Sequence, residues 1–307
     1  MRRMGYPLRF QVLVLPNVPW AQYRDRFIHL EQLGFEVAAA ADHFCDWTNP
    51  PAPWLEAWTG LAAIAERTST MRLTTCVTQI PLRNPAVLAH QAVTIDHISG
   101  GRLEIGLGTG LVVDPSYAMA GLPNWEPKER VARFGEYVAL VCSLLAGGVT
   151  DYNGKYYQAA GAVMNPGSLQ QPRLPVMVAA LGPSMILHAV RHADIWNSLS
   201  FEADFDAQLA QTTSRIARID ALCVTTGRDP ATLRRSYTMF DATARASGGR
   251  IAYYESEQAF RRMVGQVIDL GIDEVSLYYP IITEQMPMFE HIARSVLPEL
   301  RLAHRTP

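Results

Sequence analysis

The chain has 307 residues and a mass of 34.1 kDa, with 49% hydrophobic and 18% charged residues, a composition that excludes a disordered or fibrous protein and points to a sizeable core. Its net charge is −2 and its pI about 6.4, and no basic run interleaved with aromatics occurs, so a nucleic-acid partner is not expected. Cys45, Cys76, Cys142 and Cys223 are widely spaced and form no Cys-x-x-Cys pair, which argues against zinc ribbons and disulfide frameworks and for reduced thiols. The stretch Met1 to Tyr6 carries two arginines and no apolar leader core, and no run of 18 apolar residues follows. A cytoplasmic protein with no membrane or metal partner is therefore expected.

In chain order, Leu8 to Leu15 reads as an apolar strand and Trp20 to Leu33 as a helix, since Trp20, Tyr23, Phe27, Leu30 and Leu33 recur at three- and four-residue steps. Gly34 supplies a helix C-cap and Phe35 to Ala40 the next strand. The pattern predicts helix Leu55 to Arg67, strand Met71 to Thr78, helix Pro85 to Ile98, strand Leu103 to Gly108 and helix Glu126 to Leu145. Strand Val176 to Ala180, helix Ser184 to His192, strand Ile195 to Leu199, helix Phe205 to Thr225 and strand Ser236 to Thr243 continue it. Phe260, Val264, Val267 and Leu270 then lead through Gly271 to strand Val275 to Tyr279, repeating the first helix-to-strand joint, and a helix Phe289 to Leu300 closes the set.

Eight strands alternating with helices demand parallel pairing with right-handed crossovers, and closure into a (β/α)8 TIM barrel fits that count. A dinucleotide-binding fold would need Gly-x-Gly-x-x-Gly after the first strand, and nothing near Leu15 supplies it. Two stretches interrupt the rhythm, 111–127 and 147–175, the latter with Tyr152-Asn153-Gly154-Lys155-Tyr156 as a turn between short strands. Long loops of this kind build the mouth of a barrel.

Barrel chemistry sits just past the C-terminal ends of the strands. After the second strand come Ala41-Asp42-His43-Phe44, then Trp47 and a proline-rich loop to Trp54. His43 can act as an acid, base or hydrogen-bonding group beside an aromatic wall; equally, Asp42 can cap a turn and His43 can be a satisfied loop histidine. Gly106-Leu107-Gly108-Thr109-Gly110 ends the fourth strand, where glycines admit either a flat ring or phosphate, or close strand packing. Ala180-Leu181-Gly182-Pro183-Ser184 opens a helix whose free amides suit an anion, although many helix starts look alike. His188 and His192 share a helix face without the glutamate of a His-Glu-x-x-His motif, and His90 and His97 lie toward the far end of the barrel, so neither pair suggests a metal.

Ala41-Asp42-His43-Phe44, Pro81-Leu82-Arg83-Asn84-Pro85, Ala86 to Ile98 with Ser99-Gly100-Gly101-Arg102, and Gly106 to Gly110 together resemble the bacterial luciferase-like monooxygenase superfamily. Further agreement runs through Arg130 to Leu145, Tyr152 to Lys155, Pro175 to Val178 and Ala193 to Trp196, so the likeness covers nearly all of residues 1–307, as one barrel domain with insertions. The resemblance implies a flavin- or deazaflavin-dependent oxidoreductase that binds FMN or coenzyme F420 at the mouth. It places Asp42 and His43 by the ring as catalytic groups, and Cys76 and Val77 in a bulge behind it with a cis peptide between them. Thr109 falls beside the cofactor, and Gly182, Pro183, Ser184 and Met185 hold its phosphate through backbone amides. Asp42 to Trp47 and the Gly-Thr-Gly resemble the deazaflavin branch. Where sugar-phosphate dehydrogenases of that branch carry a glutamate after Gly-Thr-Gly, this chain has Leu111, which favours a less polar substrate in a pocket of Trp47, Trp54, Leu111 and Trp125.

Three functions follow as expectations: hydride transfer between F420 and a small, fairly apolar organic substrate; an FMN-dependent monooxygenase using O2 and served by a separate reductase; and a flavin-binding barrel without catalysis. A homodimer is implied by the same resemblance.

Overall fold

The computed structural model describes residues 6–244 and 247–304; most of the amino-terminal stretch read above for a leader lies outside them. The elements run β1 (Arg9–Val14), α1 (Trp20–Gln32), β2 (Val37–Ala40), α2 (Ala57–Ala65), β3 (Arg72–Thr75), β4 (Thr78–Gln79), α3 (Pro85–Ser99) and β5 (Ile105–Gly108). A short α4 (Ser116–Met119), α5 (Pro127–Leu145) and the antiparallel hairpin β6 (Thr150–Asn153) and β7 (Gln158–Ala162) follow. Then come β8 (Val176–Ala179), α6 (Pro183–His192), β9 (Ile195–Ser198), α7 (Phe205–Thr226), β10 (Arg234–Thr238), α8 (Glu257–Asp269) and β11 (Glu274–Tyr278). The chain ends in α9 (Met286–His291), a π turn (Ile292–Val296) and α10 (Leu297–Ala303).

The main sheet runs β3-β2-β1-β11-β10-β9-β8-β5-β4, all pairs parallel. Because β3 and β4 are two halves of one predicted strand, the pairing of β4 with β5 and the bridge between Leu73 and Leu103 close the sheet into the expected barrel. The break between the halves falls at Cys76–Val77, whose peptide bond is cis, as the resemblance implied. Strand β10 starts earlier and stops sooner than its apolar pattern suggests, because the Asp241 carboxylate accepts from the Thr243 and Ala244 amides and turns the chain. The last helix starts at Met286, ahead of its predicted start.

Side-chain alternation separates two interiors. Phe10, Val12 and Val14 of β1 and Val275 and Leu277 of β11 face outward and pack under the helices with Tyr23, Phe27 and Leu30 of α1. The inward set is layered. At the floor, Arg9 donates to both oxygens of Glu104 at 2.8 Å and also pairs with Glu274, while Arg72 reaches Glu104 at 2.5 Å. In the middle, Gln11 meets Ser276 at 2.7 Å and Asn197 meets Ser236 at 2.9 Å. At the top, Leu13, Ala39 and Ala41 form an apolar cluster with Leu15, Trp54, Cys76 and Tyr278.

Helix termini explain several of the motifs. Asn84 caps α3 by accepting from the Ala86 amide at 2.8 Å, with Pro85 at the first helical position. Gly100 and Gly101 take positive φ (65° and 84°) so that Arg102 can turn back and donate to the carbonyls of Ala65, Thr68, Met71 and Ser99 at 2.7–2.8 Å. Gly34 and Gly271, at φ 78° and 84°, are the two matching helix-to-strand joints.

The glycines of β5 serve strand packing. A Cβ on Gly106 would overlap the Thr75 carbonyl oxygen, and one on Gly108 would overlap the Val77 side chain. Gly106→Ala is expected to destabilise the protein by about 3 kcal/mol or more, read as a fall of several degrees in Tm or a loss of soluble protein. Gly265→Ala, inside α8 with open space around it, should instead raise stability by up to about 1 kcal/mol. Equal effects of the two substitutions would exclude the close-approach explanation.

Candidate active site

A cavity of about 450 Å³ opens at the C-terminal ends of the strands. His43, Trp47, Trp54, Cys76, Val77, Thr109, Leu111, Gly182 and Met185 all line it, so most residues singled out from the sequence meet there. Four do not reach its lining. Asp42, expected beside the ring, is buried and its carboxylate is held by Arg83, which also donates to Glu56 at 2.9 Å. Asp42 therefore braces the loop that carries His43 and does not face the cavity. Trp125, expected in the pocket, stacks under the Arg133 guanidinium, 4.4 Å from its ring centroid, because α5 presents that arginine to it. Pro183 and Ser184 are exposed at the start of α6, where Gly182 is an N-cap without a side-chain hydrogen bond.

The residues that sequence reading missed surround His43. Its Nδ1 lies 2.6 Å from Asp114 Oδ2. Gln79 Nε2 donates to the same carboxylate at 3.1 Å and to the Asp42 carbonyl at 3.1 Å, while its Oε1 accepts from the Tyr117 hydroxyl. Behind them, Arg130 donates to the Thr109 carbonyl at 2.8 Å and sits over the Tyr117 ring, 5.0 Å from its centroid. Gly110 (φ +75°) makes room for this cluster, since a Cβ there would collide with the Tyr117 hydroxyl and the Gln79 amide oxygen.

Burial works against charge on Asp114, but hydrogen bonds from His43, and from the Ser116 side chain and amide, outweigh it and hold the carboxyl at about 2. An ionised Asp114 only accepts, so His43 carries its Nδ1 proton toward it. Among the described residues no hydrogen bond occupies Nε2. An imidazole aimed by a buried carboxylate in this way can exchange a proton with a substrate at its far nitrogen. The only hint of this in the sequence was Asp114-Pro115-Ser116, which reads as a turn opening a short helix, and Asp114 does accept from the Ser116 amide at 2.8 Å.

The remaining titratable groups play other parts. Burial pushes the Cys76 thiol up to about 11, so it stays neutral. His188 and His192 are lowered, first by burial, and His188 packs at 6.1 Å from the Phe134 ring between α6 and α5, a structural place. Among the described residues no cluster of three metal-ligating side chains occurs, and no helix is long and apolar enough to cross a membrane.

A parallel barrel with an acid–base pair and an apolar cavity at its C-terminal mouth defines an enzyme-like (β/α)8 scaffold. Residues 5–245 match the profile described as luciferase-like monooxygenase, and the chain belongs to that family. It is 36% identical over 168 residues to "F420-dependent glucose-6-phosphate dehydrogenase 1" of Rhodococcus jostii (strain RHA1), covering 53% of this chain and 49% of that one. The likeness to "F420-dependent glucose-6-phosphate dehydrogenase" of Amycolatopsis mediterranei (strain U-32) is 34% over 170 residues, 54% of this chain and 50% of that one. The chain thus spans about half the length of the curated relatives it matches. In fold it is similar to an F420-dependent secondary alcohol dehydrogenase in complex with an F420-acetone adduct, with a TM-score of 0.79 at 15% identity, over 94% of this chain and 99% of that one. The coenzyme F420 dependent tetrahydromethanopterin reductase from Methanopyrus kandleri gives 0.75 at 19%, over 96% and 99%, and monooxygenase RslO1 from Streptomyces bottropensis 0.71 at 23%, over 95% and 100%.

Asp114 sits below its ordinary value of 3.8, so its contribution to stability is complete above about pH 3.8 and is lost as pH falls toward 2. The difference in unfolding free energy between the wild type and Asp114→Asn should therefore narrow between pH 4 and pH 2 in urea titrations. A constant difference would mean that Asp114 is not ionised in the native state.

Proposed function

We propose that this chain is an F420-dependent oxidoreductase acting on a small organic substrate at the barrel mouth. The observation that carries the reading is His43, with Nδ1 on the buried Asp114 and Nε2 left free, on the wall of an apolar cavity that also borders the start of α6. Family membership and the likeness to F420-dependent dehydrogenases over about half the chain support it.

The cavity fits a flat cofactor with an anionic tail. Gly108, Thr109 and Gly110 line it beside Cys76 and Val77, and the indole N–H of Trp54 is buried without a partner among the described residues. Thr109, Gly110, Val77 and Met185 would border the ring, and the amides of Ser184 and Met185, in the first turn of α6, would receive the phosphate. Bound deazaflavin would supply the two-electron redox partner. His43 holds or releases the substrate proton at Nε2, Asp114 stabilises the charged imidazole, and Gln79 and Tyr117 keep both in place. Leu15, Leu111, Leu199 and Phe240 exclude water around the reacting atoms.

A second reading, an FMN-dependent monooxygenase served by a separate reductase, draws on the family profile and the same dry lining. A barrel that binds flavin without catalysis is disfavoured by the His43–Asp114 pair. Titrating the purified chain with F420 and with FMN while following tryptophan fluorescence separates the cofactors. Micromolar FMN binding with no affinity for F420 would replace the lead reading by the second.

His43→Ala is expected to cut turnover about 100-fold or more while leaving cofactor affinity within a few-fold. Unchanged turnover would make His43 structural. Ser184→Asp should weaken F420 binding about tenfold through like-charge repulsion of about 1–2 kcal/mol, while leaving helix stability equal or higher because an acid at a helix start is favourable. An unchanged Kd in the titration would move the phosphate elsewhere.

A further inference from the structure

A second cleft, of about 400 Å³, lies between α1 and the chain that follows β11. One face of the helix supplies Gln22, Asp25, Arg26 and His29, and residues 279–283 with Met286 supply the other side. Ile281 lines both this cleft and the mouth cavity, so the two spaces share that stretch of wall. The wall is tied down on both flanks. The Tyr279 amide donates to the Leu13 carbonyl at 3.0 Å, and the Gln285 side chain bonds the amide and the carbonyl of Ile251 at 2.9 and 2.7 Å. A recess with fixed walls can receive a ligand without first being ordered.

The cleft holds a cation without a counter-charge. Arg26 lays its guanidinium over the Tyr279 ring, 5.1 Å from the centroid, and donates from Nη1 alone, to the Leu15 carbonyl and to Asn17 Oδ1, both at 3.2 Å. Among the described residues no hydrogen bond occupies its Nε or Nη2 and no carboxylate pairs with it. Arg102, by contrast, engages Nε, Nη1 and Nη2 on backbone carbonyls. Burial pulls the Arg26 pKa below its ordinary value, yet a guanidinium stays charged in a protein. The neighbouring charges are answered elsewhere. Asp25, which also lines the cleft, accepts from Arg24 Nε and Nη2 at 2.8 and 2.7 Å. His29 lies 3.2 Å from Glu290 and 3.2 Å from the Tyr279 hydroxyl, and Glu290 also accepts from Arg294 at 3.2 Å. Pro280, Ile281, Ile282 and Met286 make much of the remaining surface apolar.

We propose that this cleft is a second ligand site, for a small monocarboxylic acid with an apolar body. The carboxylate binds the edge of Arg26 formed by Nε and Nη2, a planar fork that matches two carboxylate oxygens, and the body lies along Pro280, Ile282 and Met286. One unpaired cation balances one negative charge, so a phosphate dianion is less well matched. A neutral analogue leaves the two N–H groups without a charged partner. The mouth cavity offers such an acid no comparable place, because no lysine or arginine lines it among the described residues and the Asp241 carboxylate does. The site is independent of whichever cofactor occupies the mouth.

Gln22 supplies the test, since it is exposed in the first turn of α1, one turn before Arg26 on the cleft face. Gln22→Glu sets a carboxylate of the chain itself against Arg26 in the favourable order, at a helix start where an acid is stabilising. Cyclohexanecarboxylate, the neutral cyclohexanecarboxamide and inorganic phosphate are titrated calorimetrically into the purified chain near neutral pH. Wild type is expected to bind the carboxylate at least about fivefold more tightly than the amide or phosphate. Gln22→Glu should weaken the carboxylate at least about fivefold with Tm equal or higher, while the uncharged Gln22→Met leaves it within about twofold. Equal affinities for carboxylate and amide would remove Arg26 from ligand binding and overturn the site. Tighter binding of phosphate would overturn the ligand class. An unchanged affinity in Gln22→Glu, or no binding of cyclohexanecarboxylate to the wild type at millimolar concentration, would overturn the proposal outright.

Discussion

The bare α-carbon of Gly106 lies against the Thr75 carbonyl where β3 and β5 close the sheet, and the rest of the barrel mouth depends on that contact. The Thr75 hydroxyl donates back to the Gly106 carbonyl at 2.9 Å, so the two strands are joined by both packing and hydrogen bonding. Two residues on, the Val77 side chain occupies the space above Gly108, and two residues further Gln79 and Tyr117 occupy the space above Gly110. The three glycines are two residues apart, and a Cβ on each would meet in turn Thr75, Val77 and Gln79 of the neighbouring segment, with Tyr117 of α4 also against Gly110. Larger residues would separate the strands and move Gln79 away from His43.

Polarity inside the barrel is layered along its axis. The floor holds Arg9, Arg72, Glu104 and Glu274 in one buried network, and the Glu104 carboxyl is held below its ordinary range by the two arginines although burial opposes the charge. Buried ions of this kind tend to return only what their desolvation costs, unless each charge finds a matched partner. Here both Glu104 oxygens are taken by Arg9 and one also by Arg72. With the Arg–Glu network at the floor and neutral side chains such as Gln11, Ser276 and Asn197 above it, the layer over them is the apolar cluster of Leu13, Ala39 and Ala41. The His43–Asp114 pair at that dry rim interacts more strongly than it would in water.

Motif residues divide between architecture and site in a way their spacing does not reveal. Arg83, Asn84 and Pro85 hold Asp42, cap α3 and start it; Arg102 binds loop carbonyls at the far end of the barrel. The family signature around them thus largely records how the scaffold is pinned. His43 is the member of the Asp42-His43 pair that faces the cavity, and its partners came from a loop read as an insertion and from the residue just past a strand read as ending at Thr78.

The sequence by itself determined the alternation of strands and helices, the joints at Gly34 and Gly271, the hairpin around Asn153-Gly154, and the rim positions of His43, Trp47, Trp54, Leu111 and Gly182. These depend on local rules: the period of apolar residues, glycine at positive φ, and the strand-end position of loops in a barrel. Only the tertiary structure decided that His43 meets Asp114, 71 residues away, and Gln79, 36 away, and that Asp42 turns to Arg83, 41 away. It also decided that Trp125 lies under Arg133 outside the cavity. Those partners sit on loops that follow different strands, and no periodicity along the chain relates them. Barrel closure brings the loops together, and the direction in which each polar side chain then turns follows from which buried donor or acceptor lies within reach.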